Sequence, residues 1–311
     1  STRDTPLVLP KIPFPAPVIT VAVEVKQRGE EDKLSTGLHK LHEEDPTFQH
    51  EYNAELGQTL IRGLGERHLE IVVGRLARKY GVHASTAKPR IAYRETLKGR
   101  AEGQGKHKKQ TGGRGQYGDC WIRIAPLVRG AGFVFEDQIV GGVIPRQYIP
   151  AVERGIVEAT HRGPVAGYPV VDFKVELYDG SYHDVDSSEQ AFKMAGILAF
   201  RNVSPNARPV LLEPIMEIEA WTPDDYQGPV MGDISSRRGH ILGTEPDGKL
   251  VKVRALVPEA ELDRYATSLH SITHGRGTYR QKFHVYQEVP PDVAQRVVEA
   301  RKKELEEAKK E

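Results

Sequence analysis

Hydrophobic positions in the first ninety residues follow two spacings in turn, one typical of strands and one typical of amphipathic helices. Residues 18–24 are rich in β-branched side chains and predict a strand. Leu34, Leu38 and Leu41 recur at helical spacing and precede Asp45-Pro46, where the proline is expected to end the helix. The remaining predictions in this part are a strand at 58–62, a helix over 69–80 that ends at Gly81, and a strand at 82–86.

The same succession of elements returns near the other end of the chain. Residues 213–219 predict a strand, a helix is expected from Pro229, and residues 250–256 predict a further strand. A helix over 259–270 and a strand over 277–283 complete the series. Two such strand–helix–strand–strand–helix–strand series predict a pair of split βαβ sandwiches, and hence an α+β protein.

The part between them, residues 91–211, has a different pattern of paired strands followed by two helices. Apolar residues at helical spacing predict the first helix over 149–159, and residues 170–177 predict a strand. Ser187, with Gln190 three residues later, forms a capping box that predicts the start of the second helix. Beyond Pro290-Pro291 a last helix is expected, almost entirely charged toward its end.

Composition narrows the class of protein but does not identify a function. The 311 residues are 38% apolar and 28% charged, which is typical of a globular protein with two or three domains. No apolar run approaches the ~20 residues that a membrane helix requires. One cysteine cannot form an internal disulfide, as expected for a reducing cytoplasm. The net charge is only +1, so any affinity for nucleic acid must come from local patches.

The stretch GKHKKQTGGRGQYGDCW contains glycines at 113, 115 and 118, the spacing of a dinucleotide-binding fingerprint. That fingerprint works only between a strand and a helix whose N-terminus meets the pyrophosphate. The preceding residues KGRAEGQGKHKKQ show no strand pattern, and residues 119–124 predict a strand in place of a helix. A G-x-x-x-x-G-K-[ST] motif is also absent from the sequence. The glycines are therefore expected to belong to the end of a hairpin.

Basic side chains surround this hairpin end, which suggests a partner rich in phosphate. Residues 98–114 contain six basic residues and a single acidic one, Glu102. The basic residues are Lys98, Arg100, Lys106, Lys108, Lys109 and Arg114. A solvated loop would account for the charges alone, but glycines at 112, 113 and 115 permit the close approach of a backbone. Cations neutralise phosphates, so contact with RNA is the favoured interpretation.

A second loop, residues 177–190, supports the same interpretation. Asp179-Gly180 predicts a turn, and Tyr182 and His183 are suited to stacking on bases or hydrogen bonding to them. Asp184, Asp186 and Glu189 suggest a metal-dependent hydrolase as an alternative. Acids at the start of a helix, stabilised by its dipole, explain Asp186 and Glu189 more simply.

Motifs spread along nearly the whole chain resemble bacterial elongation factor G. They occur in the family's order: GQTLIRGLGERHLEIVVGRL, YRET, KQTGGRGQYG, GGVIPRQYIPAV, GPVAGYPVVD, GSYHDVDSSEQAFKMAG, LLEPIME, GDISSRRG, YATSLHS and THGRGTY. The resemblance covers the family's third, fourth and fifth domains. It implies two ferredoxin-like split βαβ sandwiches that flank an elongated, ribosomal-protein-like α+β domain with a left-handed crossover. The implied boundaries are a linker at 1–12, domains at 13–90, 91–211 and 212–289, and a C-terminal helix at 290–311.

The resemblance also implies a function in translocation on the ribosome. The middle domain would enter the decoding site and move tRNA and mRNA. Its RNA-contacting residues would be Lys108, Lys109, Gln110, Thr111, Gly112, Gly113, Arg114, Gln116, His183 and Asp184. Contacts with large-subunit rRNA would come from Ser235, Ser236, Arg237, Arg238, His274 and Arg276.

The implied partners are both ribosomal subunits with their rRNA and proteins, tRNA, mRNA and a GTPase domain outside this sequence. This chain would carry no catalytic site, metal or cofactor, whereas the parent factor would use GTP and magnesium. It would be a cytoplasmic monomer that contacts no membrane.

Two alternatives remain beside the translocase and the hydrolase: a paralogue acting in ribosome recycling or protection, and a free-standing RNA-binding protein. The family-like motifs QTGGRGQYG and SYHDVDSS weigh against a protection factor, whereas three departures from the family pattern are compatible with a paralogue of altered duty, for example in recycling. Pro229 replaces the usual acidic residue, residues 201–208 interrupt a stretch that is normally helical, and the charged tail after Arg301 is longer than usual.

Overall fold

The computed structural model describes residue 14 and residues 17–27, 29–110 and 115–307. Its chain divides into two units. The first unit combines the stretch that ends at Ala92 with Met216–Phe283, and the second combines Tyr93–Ile215 with the residues from His284 onward.

An antiparallel sheet with two helices forms the N-terminal part of the first unit. Its elements are β1 (Ile19–Val25), α1 (Glu31–Glu44), β2 (Gln49–Asn53), β3 (Gln58–Gly63), α2 (Glu66–Tyr80) and β4 (Ala84–Ala87). The strand order β2-β3-β1-β4 matches the predicted split βαβ arrangement. Leu34, Leu38 and Leu41 of α1 join Leu69 and Leu76 of α2 in one core, as their helical spacing predicts.

The second unit contains a mixed sheet backed by two helices. Its elements are β5 (Arg94–Leu97), β6 (Ala101–Lys109), β7 (Gln116–Pro126), β8 (Phe133–Asp137), α3 (Ile149–Thr160), β9 (Phe173–Ser181) and α4 (Glu189–Val203). The strand order is β6-β7-β9-β8, in which β8 and β9 are parallel and the other pairs antiparallel. A single apolar core joins the inner face of this sheet to α3 and α4.

The C-terminal series repeats the first sandwich. Its elements are β10 (Pro209–Thr222), α5 (Gln227–Ser236), β11 (His240–Asp247), β12 (Leu250–Pro258), α6 (Tyr265–Ile272) and β13 (Thr278–Glu288), followed by α7 (Pro291–Glu307). The sheet order is β11-β12-β10-β13, and the first four residues of β10 also pair with β5. Val230 and Ile234 of α5 meet Leu269 of α6 in the core. The predicted α+β class with sandwich-type domains is confirmed.

Strand β6 corrects the prediction that residues 98–110 lack strand structure. In this strand, glycines occupy positions where apolar side chains would normally indicate a strand. A Cβ on Gly105 would lie 2.1 Å from the carbonyl oxygen of Ala195, and one on Gly118 of β7 would lie 2.4 Å from that of Ala191. The strands therefore contact the backbone of α4 directly, so Gly118 serves helix packing and not a dinucleotide.

Several predicted boundaries in the second sandwich and at the end of α4 were wrong for local reasons. The helix expected over 259–270 is split into a 3₁₀ turn, Glu259–Leu262, and α6, because Arg264 adopts a left-handed φ of 53°. Helix α5 begins at Gln227, two residues before Pro229, since proline is tolerated in a first helical turn that needs no N–H donor. The interruption expected from Arg201 begins only at Ser204, after α4 has ended.

Replacement of Gly105 by alanine is expected to destabilise the second unit. The added methyl cannot avoid the backbone of α4, and overpacking of this kind costs about 1–3 kcal/mol or more. Urea unfolding followed by the fluorescence of Trp121, in a Trp221→Phe background, measures the loss. Gly74→Ala in α2, where the methyl meets open space, is the matched control and should not lower stability. Equal midpoints for the two variants would contradict the close approach of α4.

Glu217 in β10 predicts how the first unit responds to acid. Hydrogen bonds from Arg254 at 2.7 Å and Lys282 at 3.0 Å lower the pKa of this carboxyl to about 2. The ordinary pKa of a glutamate carboxyl is 4.5, so the ionised form of Glu217 stabilises the folded state fully above that pH. This contribution is lost as the pH falls toward 2. Glu217→Gln should unfold more readily than the parent chain at pH 7, and the difference should narrow between pH 4.5 and 2. Thermal unfolding across this range is the measurement, and a gap at pH 2 as large as the gap at pH 7 would contradict the assignment.

Candidate nucleic-acid interface

The hairpin end consists of residues 106–110 and 115–117, which lie where the chain passes from strand β6 to strand β7. Register pairs Lys109 with Gln116 and Lys108 with Tyr117, so the cations and Gln116 share one end of the sheet. Lys108, Lys109, Gln110 and Gln116 are exposed. The predicted contacts Thr111, Gly112, Gly113 and Arg114 lie outside the described residues.

The 182–188 loop joins β9 to α4 and lies against the hairpin end. The Tyr117 amide donates to the carbonyl of Asp186 at 2.9 Å, and the Gly115 amide donates to the Asp186 carboxylate at 3.0 Å. Ser187 Oγ donates to the carbonyl of Tyr117 at 2.9 Å. The rings of Tyr117 and His183 are 6.4 Å apart. Two segments that are distant in sequence, one basic and one containing His183, are therefore brought together.

Two residues of the 182–188 loop differ from their predicted roles. The helix cap is Ser188, whose hydroxyl accepts from the Ala191 amide, and not Ser187. Ser187 is 5% exposed because it binds β7 instead. Asp186 likewise precedes the helix and holds the Gly115 amide, so the helix dipole does not explain it. The turn expected at 179–180 is absent, since both residues continue strand β9.

A buried polar network supports the hairpin end and gave no signal in the sequence. Asp119 is 5% exposed and accepts from Gln104 and from Ser181 Oγ, each at 2.7 Å. The hydroxyl of Tyr117 is 2.7 Å from the same Ser181 oxygen. Every buried polar group in this chain of contacts has a partner, so the network makes the base of the interface rigid. Alternation alone cannot separate such a buried carboxylate from a solvated one.

Two cations of the hairpin end, Lys108 and Lys109, are not paired with an acid in the described part of the chain. Within the described part of the chain, no carboxylate lies within 4.0 Å of the ammonium groups of Lys108 and Lys109. Lys106 is 4.0 Å from Asp119 and 5.6 Å from the ring centroid of Tyr117. Cations of this kind, beside an aromatic ring, are available to phosphates and bases.

Two of the three acids considered for a metal-dependent hydrolase, Asp186 and Glu189, already have other partners. Asp186 is occupied by the Gly115 amide, and Glu189 pairs with Arg154 at 2.7 Å. No three His, Cys, Asp or Glu side chains in the described ranges are placed to hold a metal ion. Burial raises the pKa of the Cys120 thiol to about 12, so it stays protonated and is a poor nucleophile at neutral pH.

The side chains proposed as rRNA contacts at the end of α5 already make hydrogen bonds or ion pairs within the fold, to different extents. The guanidinium of Arg237 donates to Asp233, Ser268 and the carbonyl of Glu261. This side chain is therefore part of the fold. Arg238 pairs with Glu261 at 2.9 Å. The hydroxyls of Ser235 and Ser236 donate back to carbonyls of their own helix, those of Met231 and Asp233 respectively.

His274 and Arg276, both named in the sequence analysis, form a second cluster with Tyr226. Tyr226 itself was not predicted from the sequence. Arg276 donates to the Tyr226 hydroxyl at 2.5 Å, and its guanidinium lies 4.9 Å from the Tyr226 ring centroid. The His274 ring is 5.7 Å from the same ring, and its backbone φ is 50°. An aromatic ring between two basic groups is suited to contact with nucleic acid. Tyr226 lacked a sequence signal because its partners lie about fifty positions away.

No helix in the described ranges is both long and apolar enough to cross a membrane.

Comparison with known proteins covers nearly all of the chain. Models of elongation factor G match it in three consecutive parts: domain III at residues 14–88, domain IV at 89–208 and the C-terminus at 210–297. Elongation factor G of Aquifex pyrophilus is 53% identical over 294 residues, which are 94% of this chain and 42% of that protein. A crystal structure from Thermus thermophilus has a TM-score of 0.85 and 47% identity, across 94% of this chain and 44% of its own.

The chain thus spans less than half the length of these two relatives. Three family domains in consecutive order, together with this identity, establish what it is similar to. The chain belongs to the elongation factor G family and corresponds to its C-terminal half.

Proposed function

We propose that this chain is the C-terminal part of a ribosomal translocase, and that the hairpin end and the 182–188 loop enter the decoding site. The observation that carries the proposal is the direct pairing of these two segments through Gly115, Tyr117, Asp186 and Ser187. This pairing supports a surface shared by the exposed cations and His183. The proposed contact set is Lys108, Lys109, Gln110, Thr111, Gly112, Gly113, Arg114, Gln116, His183 and Asp184.

The physical chemistry of paired RNA supports this assignment. A codon–anticodon helix is A-form, and its shallow minor groove offers 2′-hydroxyls and phosphates that are the same for every sequence. A translocase must act on all codons, so contact through shape and backbone suits it. Cations attract the phosphates, and a rigid base transmits force to them.

Energy for the movement would come from outside this chain. We propose that the parent factor binds GTP and magnesium in a GTPase domain and hydrolyses GTP on the ribosome. Partners would be both subunits, tRNA and mRNA, and the factor would act as a monomer in the cytoplasm. Contacts with large-subunit rRNA would come from Ser235, Ser236, Arg238, His274 and Arg276, with Tyr226 added. Arg237 is left out because its guanidinium is occupied within the fold.

Recycling or ribosome protection by a paralogue is the second candidate, favoured by the departures at Pro229 and in the charged tail. Chemical footprinting of the parent factor on ribosomes separates the possibilities. A translocase should protect decoding-site rRNA, and deletion of residues 110–116 should abolish that protection while large-subunit protection remains. Unchanged decoding-site protection in the deletion variant would refute the assigned position.

Replacement of His183 by alanine in the parent factor should slow translocation while leaving ribosome-stimulated GTP hydrolysis nearly intact. His183 belongs to the proposed RNA-contacting surface and has no part in nucleotide chemistry. Rapid kinetics of tRNA movement and of phosphate release measure the two steps. His161→Ala, at an exposed position after α3, is the matched control. Equal losses in both steps would count against the assignment.

A further inference from the structure

The 182–188 loop contains a single helical turn that His183 caps. The Ser187 amide donates to the His183 carbonyl at 3.0 Å, which closes the turn. The amides of Val185 and Asp186 both donate to Nδ1 of His183, each at 3.3 Å. A side-chain acceptor that binds the second and third amides of a turn is the geometry of a helix N-cap. His183 therefore uses its Nδ1 as Asn or Ser uses a side-chain oxygen.

This capping role constrains the proton on the imidazole. A nitrogen that accepts from two amides must present its lone pair, so in the neutral ring the proton resides on Nε2. Asp186 Oδ2 is 3.6 Å from Nδ1, beyond hydrogen-bond range, and Oδ1 of the same carboxylate already accepts from the Gly115 amide. Other groups on this side are the ring of Tyr117 and, beyond it, Lys106. The two amides are thus the nearest partners of Nδ1.

The position of the ring is also constrained from beneath. The His183 amide donates to Ser187 Oγ at 2.9 Å, and the same hydroxyl donates to the carbonyl of Tyr117 in β7. The turn is consequently attached to the sheet through Ser187, and its first residue is bonded to that same side chain. The His183 side chain nevertheless remains 57% exposed, and within the described ranges no residue accepts from Nε2.

We infer that His183 presents a neutral Nε2–H donor of fixed orientation to an acceptor oxygen of RNA, a ribose hydroxyl or a phosphate. This inference rests on the proposed function, because it names what the same surface contacts. A neutral donor adds direction to the contact without adding charge. Ribose and phosphate oxygens are present at every nucleotide, so the contact would not depend on codon identity.

The tautomer can be tested without the ribosome. Long-range ¹H–¹⁵N correlation spectra of the full chain with ¹⁵N-labelled histidine, recorded at a pH where the rings are neutral, report which nitrogen carries the proton. His183 is assigned by the loss of its signals in His183→Asn. We expect a single Nε2–H tautomer for His183 and a mixture for the exposed His161. A mixture at His183 equal to that at His161, or a proton on Nδ1, would overturn the inference while leaving the proposed function untouched.

A pair of substitutions in the parent factor separates capping from donation. Asparagine retains a capping oxygen but lacks the distant N–H, whereas glutamine caps poorly yet places an amide N–H near the position of Nε2. We expect His183→Gln to translocate about fivefold faster than His183→Asn, the factor for one net hydrogen bond, and His183→Asn to resemble His183→Ala.

If His183→Asn translocates as fast as His183→Gln or faster, only the capping role matters. That result would overturn the inference that Nε2–H is a hydrogen-bond donor to RNA. Full activity in both variants would instead refute the proposed function of His183, even if the spectra show the expected tautomer. A His183→Lys variant faster than His183→Gln would show that a cation is required, which also overturns the neutral donor.

Discussion

The direct contact between the backbone of α4 and strands β6 and β7 is the constraint on which the second unit depends. Gly105 and Gly118 carry no side chain where the helix crosses the strands, and any Cβ there would enter the helix backbone. The opposite side of α4 is as tightly packed, since a Cβ on Gly196 would lie 2.5 Å from the carbonyl oxygen of Val152 in α3. A helix held so closely on both sides cannot shift without loss of packing. The loop that leads into it is therefore held at a set distance from the hairpin.

That fixed distance allows main-chain hydrogen bonds to join the hairpin end to the 182–188 loop. The Tyr117 amide and carbonyl are both used, the first by the Asp186 carbonyl and the second by Ser187. Below them, Asp119 is buried and fully partnered. Above it, Lys108 and Lys109 have no acid partner among the described residues. The polar groups below the exposed lysines all have hydrogen-bond partners, so this part of the structure is rigid. Such rigidity suits a surface that contacts a polyanion without rearranging.

Several charges of the first unit are paired within the fold, unlike Lys108 and Lys109. Glu217, Arg254 and Lys282 neutralise one another across the sheet of the second sandwich, and Arg237 is occupied by neighbouring groups. These charges maintain the fold. Arg276 differs because its nearest partners are the ring and hydroxyl of Tyr226. Counting arginines in a motif therefore cannot tell which ones face a partner.

The sequence by itself determined the elements that bury one apolar face. The helices around Leu38, Leu76 and Ile156 and the two repeated sandwiches follow from local spacing, and the ordered motifs identified the family. The glycines and histidine of the two loops were also recognisable as a candidate interface. These features depend on neighbours within a few positions, which periodicity records.

Only the tertiary structure decided the rest. The edge strands β2 and β11 bury no alternating face, and the inward positions of β6 include glycines, so none of the three shows an apolar period of two. Ser187 and Ser188 are equivalent in sequence, and only the position of Tyr117 made one a link to the sheet and the other a helix cap. The bond from Gly115 to Asp186 likewise joins groups 71 positions apart. Contacts across such separations arise from packing and leave no local pattern.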